Sequence, residues 1–113
     1  MYDKALEFAK YIVILTRNLE SDGKEKELIK QILRSGTAIG ANVAEAQGSV
    51  SEPDYISKMH IAYKELIETH YWLELLTVTG DLNIKEFDKF ENLYSELSKI
   101  LYTILKNIRS KRS

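Results

Sequence analysis

Two histidines, several carboxylates and two ridges of cations are the residues of this chain whose types and spacing invite chemistry. His60 and His70 lie ten residues apart in a segment with helical periodicity, which separates them by about 15 Å along a helix axis, too far to share a metal ion. A di-iron bundle would need two Glu-x-x-His motifs on facing helices, and the sequence contains none. Cys is absent, which removes thiolate metal ligands, Cys nucleophiles and disulfides together. Gly36-x-x-x-Gly40 sits inside a helical pattern without the strand, Lys and Ser/Thr context of a phosphate-cradling loop. No catalytic residues, metal site or cofactor are therefore expected, and the reading is that of a protein that is not an enzyme.

Polar residues within apolar surroundings carry more information. Asn42 continues the inward line Leu28, Ile32, Ser35, Ile39, so its amide is expected to be buried and to need partners. Glu45, one turn on, and Glu68 are the candidates. The three form either a register-setting polar cluster, as a buried Asn does in coiled coils, or an acid–base site if both carboxylates line an open cleft. Around them Gly36, Gly40 and Ala44 repeat every four residues and make a groove without side chains beyond methyl. Glycine inside a helix costs about 1 kcal/mol relative to alanine, so close packing must compensate, either within one chain or between two.

Lys26, Lys30 and Arg34 stack at i, i+4 spacing, where like charges repel. Lys99, Tyr102, Lys106 and Arg109 form a second stripe, and no acidic residue follows Glu96. Cations interleaved with an aromatic ring can contact phosphates and stack a base. A solvated helix face whose basic end complements the helix dipole is the competing explanation.

These residues need helices to position them. The first apolar line is Ala5, Phe8, Ile12, Leu15 and Leu19, giving a helix over Lys4 to Leu19 that stops at Glu20-Ser-Asp-Gly23, where Ser or Asp can cap the next. A second helix runs from about Lys24 to Gln47, with Leu28, Ile29, Ile32 and Leu33 inward. Ser51-Glu-Pro-Asp54 announces a third, in which Tyr55, Met59, Ala62, Leu66, Thr69, Leu73 and Leu76 face in. Gly80-Asp-Leu-Asn83 supplies a stop and a cap, and a fourth helix over Ile84 to Ile108 turns Phe87, Phe90, Tyr94, Leu97, Leu101, Ile104 and Ile108 inward. Four helices on short loops predict an all-α, antiparallel up-down-up-down four-helix bundle as one domain over residues 1–113. Tyr11, Val13, Ile14, Ile56, Ile61, Tyr63 and Tyr71 exceed what one core requires, an apolar surplus that points to self-association.

At 113 residues, 44% apolar and 29% charged, the chain can bury one core. Net charge is −1, so any attraction for nucleic acid must come from local asymmetry. No apolar run is long enough to span a bilayer, and Met-Tyr-Asp-Lys does not open an export signal, so a cytoplasmic protein without membrane contact is expected.

Ala41-Asn-Val-Ala-Glu-Ala46 and Glu68-Thr-His-Tyr-Trp-Leu73, in that order and within a match over nearly the whole chain, resemble the four-helix-bundle proteins encoded in intervening sequences of bacterial 23S ribosomal RNA genes. Gly40 stands where Pro or another small residue is common in that family, and Ala46 where Gly is common. The resemblance implies an antiparallel bundle that assembles into a five-fold ring. Related accessory variability determinant proteins of diversity-generating retroelements form such rings and bind nucleic acid and a reverse transcriptase. The resulting expectation is a non-enzymatic homo-oligomer, a pentamer, contacting RNA or DNA through its basic helix faces. The alternative is a module that holds a protein partner and binds no nucleic acid.

Overall fold

A computed structural model describes the backbone of residues 1–112 and the side chains of residues 1–108. Four helices follow one another: α1 (Tyr2–Ser21), α2 (Lys26–Gln47), α3 (Glu52–Val78) and α4 (Ile84–Arg112). Each packs against the next, and α4 closes the square against α1. The result is a four-helix bundle with extents of 48 × 23 × 21 Å. No described helix is long and apolar enough to cross a membrane.

Local chemistry explains the boundaries. Gly23 and Gly80 adopt φ values of 73° and 82°, the left-handed conformation that lets a helix end without a Cβ penalty. Ser51 accepts a hydrogen bond from the Asp54 backbone N–H at 3.2 Å. Asn83 accepts from the Glu86 N–H at 2.8 Å while its amide donates to the Glu86 carboxylate at 3.2 Å, a reciprocal cap at the start of α4. The second helix departs from expectation: it starts at Lys26 on Glu25, with no side-chain cap from Ser21 or Asp22.

Every inward residue expected on α1, Ala5, Phe8, Ile12, Leu15 and Leu19, is buried. So are Met59, Ala62, Leu66, Thr69, Leu73 and Leu76 on α3, and Phe90, Leu97 and Leu101 on α4. Leu33 is corrected: it is 39% exposed, because Ile32 and Ser35 take the inward positions of that turn. The glycine question is settled for two of its positions. A Cβ on Gly36 would lie 2.7 Å from Ile12, and one on Gly40 would lie 3.6 Å from Ala5. Both glycines face α1 within the bundle, while Ala44 is exposed. The four-residue repeat is thus a close seam between α1 and α2 that opens to solvent after Gly40.

Ion pairs tie the ends. Lys24 meets Asp81 at 3.0 Å, joining the α1–α2 and α3–α4 turns, and Lys4 pairs with Glu96 across the α1–α4 seam. Thr79, then Lys24, hold the Asp81 carboxyl below its ordinary value.

Candidate nucleic-acid interface

Hydroxyl, amide and carboxylate groups of the middle turns separate into different environments. Asn42 is half-buried and donates to the carbonyl of Ala38 in its own helix at 2.8 Å. Glu45 is exposed, 3.9 Å from Lys58. Glu68 accepts from Arg34 and from the Trp72 indole, the latter at 3.1 Å. The expected cluster of Asn42, Glu45 and Glu68 is therefore not formed. Spacing puts Asn42 on the core line, yet Val43 and Ala46 take the inward positions of that stretch of α2 and leave Asn42 on the flank, where a carbonyl of the preceding turn satisfies the amide. The polar pair at the centre of the α2–α3 seam is Ser35 with Thr69, whose hydroxyls meet at 2.9 Å, both fully buried. Thr69 also reaches the Glu65 carbonyl at 2.7 Å. Ser35 lay on the inward line, but its partner could be identified only once two helices were in register.

The first basic ridge is divided. Lys26 and Lys30 are exposed and form no ion pair among the described residues. Arg34 instead turns to α3, reaching Glu65 at 3.1 Å and pairing with Glu68. These carboxylates, Glu68 foremost, raise the guanidinium's affinity for its proton. Arg34 is thus spoken for, and an anionic ligand on this face would have to compete with two carboxylates.

The second ridge is open. Lys99, Tyr102 and Lys106 lie on the outer face of α4, all exposed, with Tyr102 55% exposed. Neither lysine has a carboxylate partner among the described residues. Arg109, the last residue of the expected stripe, lies outside the residues whose side chains are described. Across the seam, His60 and Tyr63 of α3 join Tyr102, Leu105 and Lys106 around a recess of about 140 Å³. Neither His60 nor Tyr63 belonged to the stripe as read from sequence. Their i, i+3 spacing matches the i, i+4 spacing of Tyr102 and Lys106, but the pairing of α3 with α4 was needed to bring the two faces together.

His70 takes a different place. Its ring stacks on Tyr94 at 4.0 Å between centroids, with one nitrogen 2.6 Å from Glu91 and the other 3.3 Å from Glu74. Burial raises the Tyr94 phenol above its ordinary value. This set ties α3 to α4, with each ring nitrogen of His70 facing a carboxylate. Among the described residues no group of three or more potential ligands could hold a metal ion.

Among the described residues, apolar side chains are uncovered on α1 and α3. Leu6, Ala9 and Val13, flanked by Asp3, Glu7 and Lys10, line an open depression of about 570 Å³ on α1. Ile67, Tyr71 and Val78 form a stripe on α3, exposed by 48%, 58% and 84%. Tyr11, by contrast, is half-buried against Phe90, with the Lys89 ammonium 4.6 Å from its ring centre.

A family model described as 23S rRNA-intervening sequence protein matches residues 1–103. Among solved structures, the chain is similar to a protein of unknown function from the S23 ribosomal protein family of Bacteroides thetaiotaomicron. The two are 47% identical over 93% of this chain and 97% of that one, with a TM-score of 0.89. No curated protein matches.

Proposed function

Because the chain belongs to the 23S rRNA-intervening sequence protein family, we propose that it is a non-enzymatic homo-oligomeric scaffold, a five-fold ring in the cytoplasm, that contacts RNA through the outer face of α4. The observation that carries the RNA contact is the exposure of Lys99, Tyr102 and Lys106 on one face without a neutralising carboxylate among the described residues. Lysines held in this way bind phosphates by releasing condensed counterions, and that contribution is independent of sequence. The slight overall negative charge limits the attraction to this face.

Assembly is supported by the two apolar surfaces. They lie on different helices, α1 and α3, and two unlike patches that meet head to tail generate a ring when the rotation closes. The acidic and basic rim of the α1 depression would orient the contact rather than drive it.

Binding of a labelled RNA across a salt series tests the phosphate contact. Affinity should fall steeply with salt, and replacing Lys99 and Lys106 with Gln should reduce the slope by about 1.4, the equivalent of two phosphates on a single strand. RNA binding absent at low salt would favour the protein-partner module, whereas a slope unmoved by the double substitution would move the RNA contact away from this face of α4.

A further inference from the structure

A ridge of lysines grips any phosphate backbone, whereas the recess beside it has the shape and lining for something narrower. Tyr63 is half-buried and Leu105 half-buried, while His60, Tyr102 and Lys106 are exposed around them. The recess is thus apolar at its base and polar at its rim, with no carboxylate in its described lining. Lys99, Tyr102 and Lys106 follow one another at spacings of three and four residues on α4. The two lysines are therefore separated by about 10 Å of helix axis and straddle the phenol.

Resting on the reading that α4 contacts nucleic acid, we propose that the recess between α3 and α4 is a single-strand site: it holds one unpaired base against Tyr102, with Lys99 and Lys106 on the neighbouring phosphates. Every base offers a π-face, and stacking on an aromatic ring is tolerant of sequence. His60 supplies a ring nitrogen at the rim for a hydrogen bond to the base edge. In a duplex the bases present only their edges in the grooves, with their faces stacked on one another. A recess of about 140 Å³ accepts a planar ring and excludes a double helix. The ridge alone would not distinguish strand from duplex; the recess does.

The test is fluorescence anisotropy of the full chain at low salt with a labelled mixed-sequence RNA strand, the same sequence as DNA, and the annealed duplex. Wild-type protein should bind both single strands more tightly than the duplex. Tyr102→Ala should weaken single-strand binding on the order of 10- to 100-fold and leave duplex affinity unchanged, while Tyr102→Phe keeps the ring and the affinity. Far-UV circular dichroism should show unchanged helicity, since Tyr102 is exposed. Equal affinity for strand and duplex overturns the site. So does a Tyr102→Ala variant that binds single strands like wild type while Lys99→Gln with Lys106→Gln weakens binding; the phosphate-contact reading then stands without the recess. Absence of all nucleic-acid binding removes both.

Discussion

At the scale of single residues, the polar groups of this bundle divide between those that hold it together and those left to a partner. Thr69 and Ser35 are the clearest members of the first group. Thr69→Val removes their buried hydrogen bond and should cost about 1 kcal/mol, read as a lower urea midpoint. Ser35 retains only the Ile32 carbonyl at 3.4 Å. Asn42 was expected to specify register, but its amide is satisfied by Ala38 within α2. Asn42→Leu should consequently leave the native mass unchanged. Asp81 carries a pH signature. Its carboxyl is held below the ordinary value by Thr79 and then Lys24, so its contribution is fully present above the unfolded-state value and disappears as pH falls through the folded one. Asp81→Asn should flatten the loss of stability in acid, measured as urea midpoints from neutral pH downward.

At the scale of helices, the α1–α2 seam has two glycines of opposite consequence. Gly36→Ala drives a methyl to 2.7 Å from the β-branched Ile12, and an overpacking cost of roughly 1–3 kcal/mol outweighs the helix-propensity gain of about 1 kcal/mol. Gly40→Ala meets Ala5 at 3.6 Å, an ordinary contact, and should stabilise by about 0.4–1 kcal/mol. Thermal unfolding of the two variants should therefore shift in opposite directions. The four-residue repeat was legible in the sequence, but the repeat is symmetric and the neighbour is not. Ile12 lies opposite one glycine and Ala5 opposite the other because α1 runs antiparallel in one particular register.

At the scale of the whole molecule, the apolar surface beyond the core is the feature that an isolated bundle leaves unexplained. Leu6 is 55% exposed on the α1 depression, so Leu6→Asp should preserve helicity and release a smaller species in native mass spectrometry. A mass equal to wild type would remove this face from the proposed ring. Tyr11 belongs to that surplus by its place in the sequence, yet Phe90 and Lys89 of α4 cover it. Leu6, outside the expected surplus, is instead uncovered.

The sequence by itself determined the four helices, the caps of α3 and α4 and most of the buried lines, because helical periodicity and terminal hydrogen bonding are local properties of the chain. It also marked Lys99, Tyr102 and Lys106, since cations and an aromatic three and four residues apart must share a helix face. Tertiary structure alone decided what stands opposite each face. It gave Arg34 to Glu65 and Glu68, neutralising one end of the first ridge, and it set His60 and Tyr63 beside Tyr102, turning the other ridge into a recess. Those outcomes depend on the register and rotation of helices distant in sequence. The summed packing of the core fixes that register, and no local pattern encodes it.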